Sequence, residues 1–549
     1  MAPAGGAGGS SGKGGGDHIS VVASGFLRLM ASQLAARAVT FGMNLMIARH
    51  LSPEAYGLSA VQFYLITTTI LLLSREGFRR GCMRVASAAA VSITDRVLAV
   101  SWLAIPVGAA VAAAVTAGVL WRSPDADDAY KQAVVLHGVA AVVELLAEPF
   151  YIIASTQLRF GLRAGIDTAA MMLRGAVTLA LLLQTRMSPA AVFSAAQLAF
   201  AGTYFLGYLA FAAALYTQGQ LRPQLRRWDG EDWQTFWLSG VFAIQSAEKL
   251  VLAEGSKLAL VAVESGYNQG VYGLVANLGS LVVRLLLQPF EEVAFTAFSR
   301  AGAAAASDPS ERTRLGGVLS LMVRGVTLVG LLAAAFGPWY AYTLLRLVYG
   351  TRWSETEAPA VLAWYSAYVL LLAVNGITES FVHAVLDSRA LSQANAALLF
   401  LGATHVAASL ALVRAAGAVG LVAADSLNMA LRIAYSLWLI RHYFRGASGF
   451  SLGQLLPSRG TLAAYAAASA AAAASERALL SAGRGPFMQQ AAAHVAAGVT
   501  AVGAVAASAW RFERGTVAQI AQLRRSRGSP PAGGGDSNND PHAQKPKNQ

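Results

Sequence analysis

The sequence predicts an all-α, polytopic membrane protein. Of its 549 residues, 55% are hydrophobic and only 13% are charged, whereas a soluble domain is about 25% charged. Apolar runs of roughly twenty residues, the length of a helix that crosses a bilayer, recur along the whole chain between short polar loops. The strands of a membrane barrel would instead alternate over about ten residues. The composition therefore favours a bundle of membrane-spanning helices.

The apolar runs predict about fourteen transmembrane helices. The predicted spans are 26–48, 57–75, 97–121, 132–155, 164–184, 190–217, 236–262, 268–299, 315–337, 359–385, 391–413, 418–440, 460–480 and 487–510. Basic residues concentrate in the loops that follow even-numbered spans, such as the loop with Arg75, Arg79, Arg80 and Arg84. Because positively charged loops stay in the cytosol, both termini are predicted to be cytosolic.

A weak internal repeat predicts two lobes. Tyr56-Gly57-Leu58 near the second span is repeated as Tyr272-Gly273-Leu274 near the eighth. The fourth and tenth spans also share a similar stretch, so the repeat is six spans long and keeps its orientation. The predicted organisation is a Gly/Ser-rich disordered segment (1–24), an N-lobe with spans one to six (25–217), a cytosolic linker (218–235), a C-lobe with spans seven to twelve (236–445), two extra helices (446–512) and a disordered basic tail (513–549).

Charge, cysteine content and motifs argue against several classes of function. The net charge of +13 comes from basic residues in alternate loops, which is typical of membrane topology and not of nucleic-acid binding. Cys82 is the only cysteine, so disulfides within one chain and cysteine-based metal sites are excluded. No catalytic motif is present. We therefore expect neither an enzyme nor a bound cofactor or metal.

The stretch from Tyr267 to Arg300 is long enough to span a bilayer but carries Arg284, Gln288, Glu291 and Glu292. Read as a continuous α-helix, the polar residues of this stretch from Asn277 onward recur every three or four positions and share one face. An ionised side chain at the centre of a membrane helix costs roughly 2.5–3.5 kcal/mol on insertion scales. These side chains are therefore expected to face a partner or a hydrated cavity.

Other predicted spans carry polar residues at similar spacing, and we expect these faces to converge on a cavity between the lobes. The candidate cavity residues are Arg37, Asn44, Arg75, Glu76, Arg79, Arg80, Glu144, Glu148, Glu254, Lys257, Asn277, Arg284, Gln288, Glu291, Glu292, Asn375, Glu379, Asn428 and Arg432. Structural alternatives stay open, because Glu254 and Lys257 are placed to neutralise one another and the arginines after the second span are typical topology determinants. Pro149 and Pro289 predict breaks in spans four and eight.

Several segments resemble the eukaryotic Rft family, which is assigned to the MOP superfamily of flippases and exporters. They are LSREGFRRGC (73–82), VVELLAEPF (142–150), LAEGSK (252–257), NQGVYGLVANLGSLVVRLLLQPFEE (268–292), LLLAVNGITESF (370–381) and NMALRI (428–433). The resemblance implies a protein of the endoplasmic reticulum membrane that takes part in N-glycosylation. It also implies movement of a dolichol-pyrophosphate-linked oligosaccharide of mannose and N-acetylglucosamine from the cytosolic to the luminal leaflet.

The candidate residues suit such a headgroup chemically. Arginine offers forked donors to phosphate oxygens, so Arg37 and Arg284 are the first candidates for the pyrophosphate, and the arginines near Arg79 are candidates for the cytosolic entrance. The glutamates are candidates for sugar hydroxyls or for protons, while the dolichol chain would stay in membrane lipid. Two alternatives stay open: a non-transporting accessory factor that acts with other membrane proteins of the glycosylation pathway, and a cation-coupled exporter.

Overall fold

The computed structural model describes residues 39–88, 93–157, 159–219, 221, 228–305, 308–386, 388–445, 450–480 and 485–515. Within these ranges the chain is helical and contains no β-strand. The predicted N-terminal segment 1–24, most of the tail 513–549, the core of the linker at 222–227 and the candidate Arg37 lie outside the described residues.

Eighteen α-helices follow one another through the described residues. The first nine are α1 (39–50), α2 (Pro53–Gly57), α3 (Tyr64–Ala88), α4 (Ile93–Ser101), α5 (Ala104–Arg122), α6 (Asp128–Leu145), α7 (Glu148–Thr156), α8 (Phe160–Gln184) and α9 (Pro189–Thr217). The others are α10 (Gly230–Val263), α11 (Gly266–Val282), α12 (Gln288–Ala305), α13 (Pro309–Val348), α14 (Thr351–Ser354), α15 (Ala358–Val385), α16 (Ser388–Tyr443), α17 (Arg459–Leu479) and α18 (Phe487–Phe512). Two π-helical turns, Leu58–Phe63 and Val283–Leu287, join α2 to α3 and α11 to α12, and a 3-10 turn spans Leu452–Leu455.

Short polar side chains explain where several helices begin. The hydroxyls of Ser52, Ser188, Ser265 and Ser458 accept hydrogen bonds from the first-turn amides of α2, α9, α11 and α17. Asp229 and Asp232 form a reciprocal capping box at the start of α10. Each such cap satisfies backbone donors that the helix itself leaves unpaired and typically contributes about 1 kcal/mol.

Nine helices of the described part are long and apolar enough to cross a membrane, or ten if the bent pair α6–α7 forms one span. Helices α10 and α17 also have spanning length but are less apolar, and α16 covers both the eleventh and the twelfth predicted spans. The prediction of an all-α polytopic membrane protein is thus confirmed. The count of fourteen spans and the cytosolic location of both termini stay predictions.

The helices are irregular at three places, two of which lie beside Pro149 and Pro289. The axes of α6 and α7 differ by 40°, and Pro149 lies in the first turn of α7. The π-helical turn Val283–Leu287 lies one turn before Pro289, in agreement with the prediction for span eight. In α16 the backbone leaves helical geometry at Ala416 and at Gly417, which has a φ of 53°. Glycine adopts this left-handed conformation without the steric penalty of a Cβ atom.

The chain divides into two compact units. Unit 1 contains Met1–Leu286, Gly337–Leu372 and Asp387–Ala434, and unit 2 contains Leu287–Phe336, Ala373–Leu386 and Tyr435–Gln549. Helices α13, α15 and α16 contribute residues to both units. The repeat instead predicts two lobes of six consecutive spans each, 25–217 and 236–445, and these lobes stay a prediction.

Close helix packing in unit 1 depends on small residues. A Cβ atom on Gly77 would lie 2.5 Å from the carbonyl oxygen of Ser239, and one on Gly81 would lie 2.2 Å from its hydroxyl oxygen. Helix α3 thereby packs on α10 through a Gly-x-x-x-Gly pair, as small residues allow in membrane proteins. The two repeated segments also meet, because a Cβ atom on Gly273 would lie 3.7 Å from the Tyr56 ring.

Unit 2 contains an aromatic cluster and a C-terminal helix pair. Phe381 stacks with Phe444, which stacks in turn on Phe450, and Phe298 meets Phe381 edge to face. Helices α17 and α18 pack together, and the hydroxyl of Tyr465 in α17 donates a 2.8 Å hydrogen bond to the carbonyl of Leu328 in α13. This bond attaches the helix pair to the rest of the unit.

We expect Gly270→Ala to destabilise the protein strongly. The added Cβ atom would lie 1.7 Å from the backbone oxygen of Pro53, and overpacking of this kind typically costs about 1–3 kcal/mol. The measurement is the apparent Tm of purified protein in detergent. The control is Gly202→Ala in α9, where nothing lies within 4 Å of the new atom. An equal or higher Tm is expected there, and a Gly270→Ala protein as stable as the wild type would contradict the close crossing.

Candidate functional site

Four charged side chains form a buried arginine–glutamate cluster in unit 1. Arg79 on α3 donates two hydrogen bonds to Glu148, at 2.7 Å from Nε and 2.5 Å from Nη2. Arg75, one turn earlier, donates a 2.6 Å bond to Glu144 and lies 3.7 Å from Glu148. The Glu148 side chain is 0% exposed and that of Arg75 is 22% exposed. A bidentate arginine–carboxylate pair is among the strongest hydrogen-bonded arrangements in proteins.

The break between α6 and α7 positions both carboxylates. Glu144 ends α6, Glu148 begins α7, and the chain bends between them. Arg75 and Arg79 are four residues apart and therefore lie on one face of α3. Glu148 also lies in the first turn of α7, where the helix dipole favours a negative charge. The bend between α6 and α7 thus brings both glutamates to the face of α3 that carries Arg75 and Arg79.

Aromatic and polar residues from α7, α8 and α9 surround the cluster. The guanidinium of Arg79 lies 3.6 Å from the ring centroid of Tyr151, and that of Arg163 lies 4.4 Å from it. Arg163 also hydrogen-bonds the Tyr151 hydroxyl. Three buried polar atoms beside these contacts have no hydrogen-bond partner among the described residues: Glu144 Oε2, Arg163 Nε and the Tyr208 hydroxyl. Because buried polar atoms are usually paired, these atoms are available to a ligand or to water.

A second set of predicted residues meets on α10. Glu254 accepts a 2.7 Å hydrogen bond from Lys257 and a 2.8 Å bond from the Tyr64 hydroxyl on α3. The Lys257 ammonium lies 4.4 Å from the Tyr64 ring centroid. The alternative in which Glu254 and Lys257 neutralise one another is therefore confirmed. Arg284 lies within electrostatic range of Tyr64.

A third set lies in unit 2. Glu379 accepts a 2.8 Å hydrogen bond from the Asn375 side chain, and His383 lies 3.5 Å from its other oxygen. Glu291 is in electrostatic contact with Glu379. The carboxylate of Glu291 lies over Gly376, where a Cβ atom would be only 1.9 Å from its oxygen. The lack of a side chain at this position lets the two glutamates approach one another.

The other predicted residues are less closely engaged. Asn277 donates a hydrogen bond to Tyr56, and Asn428 is buried with its side-chain oxygen unpaired among the described residues. Arg432 is half-buried. Glu76 and Arg80 are partly exposed and 3.7 Å apart. The remaining three, Asn44, Gln288 and Glu292, are exposed.

The π-helical turn modifies the predicted polar face of the 267–300 stretch. The spacing of Asn277, Arg284 and Glu291 predicts one face only for an uninterrupted α-helix. Val283–Leu287 is π-helical, and a π-turn accommodates an extra residue, so positions after it are rotated from the α-helical pattern. Arg284 lies inside this turn and is exposed. The spacing of residues in the sequence therefore does not show that the polar face of α11 continues into α12.

Sequence reasoning overlooked part of the surroundings of the arginine–glutamate cluster. Arg163 and Arg174 both lie on α8, and Arg174 hydrogen-bonds Gln197 on α9 at 3.3 Å. Tyr204 and Tyr208 add neighbouring rings, 5.0 Å apart between centroids. An arginine near the middle of an apolar span is costly in lipid, and Arg174 in the fifth predicted span carried that signal.

A surface depression of about 440 Å³ lies elsewhere in unit 1, at the ends of α5, α6 and α9. Its lining includes Gln62, Asp127, Tyr130 and Ser188, and none of the predicted cavity residues. The charged clusters and this depression are thus separate features of the unit.

The sequence matches the family model Rft-1, described as Rft protein, over residues 22–523. The chain belongs to the Rft family. A Xenopus tropicalis relative, named Man(5)GlcNAc(2)-PP-dolichol translocation protein RFT1, is 33% identical over 473 residues, which cover 81% of this chain and 87% of the relative. A Mus musculus protein with the same name is 31% identical, with 75% and 80% of the two chains covered.

Two solved transporter structures are similar in fold to this Rft protein. The lipid II flippase MurJ, in an inward closed conformation, is similar with a TM-score of 0.62 and 10% identity over 89% of this chain and all of that one. An inward-facing multidrug transporter of the MATE family gives a TM-score of 0.54 with 12% identity, over 74% and 96% of the two chains. At these identities the likeness concerns the fold alone.

In this Rft protein, we expect Glu148→Leu and Arg79→Met each to lower stability sharply, and the double variant to be more stable than either. A single substitution leaves a buried charge without its partner, which typically costs about 3–5 kcal/mol, whereas an apolar pair of similar volume is often tolerated. The measurement is a double-mutant cycle on apparent Tm in detergent. A double variant whose loss equals the sum of the single losses would show that the two side chains are not coupled.

Proposed function

We propose that this Rft protein moves Man(5)GlcNAc(2)-PP-dolichol from the cytosolic to the luminal leaflet of the endoplasmic reticulum membrane, where it serves protein N-glycosylation. The observation that carries the proposal is family membership over residues 22–523, together with relatives that are named for this translocation. The transporter-type fold is compatible with it.

The physical problem is the polar headgroup. A sugar and pyrophosphate headgroup that enters hydrocarbon loses hydrogen bonds that cost several kcal/mol each unless other donors and acceptors replace them. The arginine–glutamate cluster supplies both kinds of group inside a membrane-spanning bundle. Unpaired atoms of Glu144, Arg163 and Tyr208 offer further acceptors and donors next to it.

Arg75 is our first candidate for the pyrophosphate within this cluster. Its side chain is more exposed than that of Arg79, and its main contact is a single bond to Glu144. A phosphate oxygen that replaces this carboxylate keeps the charge-assisted hydrogen bond. Arg79, which is held by Glu148 and Tyr151, acts as a positioning residue for Arg75. Arg284, exposed on the 267–300 stretch, stays a second candidate, and Arg37 a third.

Dolichol itself needs no polar site, because its chain stays in membrane lipid while the headgroup crosses. The polar residues need only replace the hydration of the headgroup during the crossing. Replacement of the hydration of the headgroup by polar side chains requires no nucleotide or metal. Contact with other membrane proteins of the glycosylation pathway is part of the proposal and is tested separately by co-purification.

We expect Arg75→Ala and Arg284→Ala each to abolish rescue of N-glycosylation in cells that lack their own Rft protein, beyond what any fall in protein abundance explains, because Arg75→Ala also leaves the buried Glu144 without its partner. Arg75→Lys should rescue partly, because lysine keeps the charge but loses the forked geometry. The readout is the glycosylation state of a reporter glycoprotein. The control is Arg314→Ala, since the Arg314 side chain is 74% exposed and pairs only with Glu311, three residues before it, among the described residues.

Translocation by purified protein in liposomes distinguishes direct transport of the lipid from an accessory role. Movement of the defined lipid-linked oligosaccharide that is lost in Arg75→Ala supports direct transport. Full rescue in cells by a protein that moves no lipid in liposomes would support an accessory role instead. Normal rescue by Arg75→Ala or by Arg284→Ala would remove that arginine from the mechanism.

A further inference from the structure

A second buried polar cluster in unit 1 lies apart from the candidate headgroup residues. It consists of Ser256 on α10, Tyr272 on α11, and His405 and Asp425 on α16, and we call it the aspartate–histidine cluster. All four residues are at least 92% buried, because the most exposed of them are 8% exposed. None of the four belongs to the candidate cavity residues.

Hydrogen bonds converge on the carboxylate of Asp425. Ser256 donates a 2.8 Å bond to Oδ1, His405 Nε2 lies 2.9 Å from the same oxygen, and Tyr272 donates a 3.1 Å bond to Oδ2. Ser256 Oγ also lies 3.1 Å from His405 Nε2. Both carboxylate oxygens are therefore satisfied, and the histidine is oriented with one ring nitrogen toward the acid.

The cluster differs from the arginine–glutamate cluster in having no permanent cation. Among the residues that the structure describes, no lysine or arginine nitrogen lies within 4.0 Å of Asp425, and its ion-pair partner is His405. Tyr365 and Tyr368 on α15 lie within electrostatic range of Asp425, and these two tyrosines are in range of Arg284 and Arg432 respectively. Arg284 and Arg432 thus lie further from Asp425 than the two tyrosines do.

The charge of such a cluster depends on one proton. With one proton shared by the aspartate and the histidine, the cluster is neutral, whether the proton lies on the ring or on the carboxyl group. Without that proton, the cluster carries one buried negative charge, which its hydrogen-bond donors stabilise but which no lysine or arginine nitrogen within 4.0 Å of Asp425 offsets among the described residues.

The cluster also spans the break in α16. His405 precedes Ala416 and Gly417, where the backbone leaves helical geometry, and Asp425 follows them. Their contact joins the two segments of α16 to each other and, through Ser256 and Tyr272, to α10 and α11. Gain or loss of the proton changes the interaction that holds these segments together.

We propose that the aspartate–histidine cluster is an occluded binding site for one proton. The proposal holds whichever substrate the protein carries. It concerns a different set of residues from those assigned to the headgroup, so the two proposals stand or fall separately.

The test uses the pH dependence of stability for the full chain in lipid nanodiscs. In the unfolded chain the histidine titrates near pH 6.5 and the aspartate near pH 3.9, so above about pH 6.5 the unfolded chain has lost the proton. A folded cluster that keeps the proton then binds one more proton than the unfolded chain. The folding equilibrium constant therefore falls about tenfold for each pH unit above about 6.5.

The matched variant is Asp425→Asn, which keeps the volume and removes the titrating acid. The variant has no acid with which the histidine can share the proton, so the proposed fall above about pH 6.5 disappears. The double variant His405→Gln/Asp425→Asn, which removes both titrating groups, gives the same comparison if Asp425→Asn is not recovered as folded protein. Asp128→Asn is the control, because Asp128 is exposed at the start of α6, and it is expected to retain the wild-type slope.

Two results would overturn the proposal. The first is a wild-type stability that is flat above about pH 6.5 and parallel to both variants, because the folded cluster then carries no proton in that range. The second is stabilisation of the wild type, but not of Asp425→Asn, by sodium chloride relative to choline chloride at fixed pH. Carboxylate and hydroxyl oxygens are also ligands for hard cations, and that result would make the cluster a sodium site.

Discussion

The burial of Glu148 is the constraint on which the charged region of unit 1 depends. A carboxylate that is fully removed from solvent requires a cation with good geometry, and Arg79 meets that need with two hydrogen bonds. To bring the two together, α6 and α7 bend at Leu146–Ala147 and α3 presents Arg75 and Arg79 on one face. Tyr151 of α7 then covers the guanidinium group of Arg79. Each of these features would be unfavourable without the others.

The sequence predicted the helices better than it predicted which side chains pair with one another. Long apolar runs located most helices, and Pro149 and Pro289 indicated two of the irregular places, because these signals act over a few residues. The Glu254–Lys257 pair was foreseeable for the same reason. Arg79 and Glu148, however, are 69 residues apart, and His405 pairs with Asp425 across a break. Helical spacing shows which side chains share a face, but it does not show which other face they meet. The spacing of the polar residues does not reveal the π-helical turn at Val283–Leu287, and the nearby Pro289 was the local signal for it.

The two buried clusters of unit 1 suit different ligands because their charges have different origins. Arginine stays charged at any pH that a cell maintains, so the arginine–glutamate cluster offers fixed positive groups of the kind that a pyrophosphate requires. Histidine side chains in general change their charge near neutral pH, which is why the aspartate–histidine cluster suits the proton proposed for it. The proposed phosphate recognition and the proposed proton binding thus concern separate residues, although α10 contributes to the region around both Glu254 and Ser256. This separation allows each role to be removed by substitution without removing the other.

Charge balance limits how the arginine–glutamate cluster can receive a headgroup. Two arginines and two glutamates are neutral together, so a pyrophosphate brings negative charge that Arg75 alone does not offset. Further cations must therefore take part, and one candidate is the half-buried Arg163, which stacks on the same Tyr151 ring as Arg79 and has an Nε atom without a hydrogen-bond partner among the described residues. Arg80, partly exposed on α3, is a second. A headgroup that displaces Glu144 from Arg75 leaves that glutamate buried, and a protonated Glu144 or a sugar hydroxyl bonded to it would relieve the cost. Binding of the anion and a change in the partner of Glu144 are therefore expected to occur together.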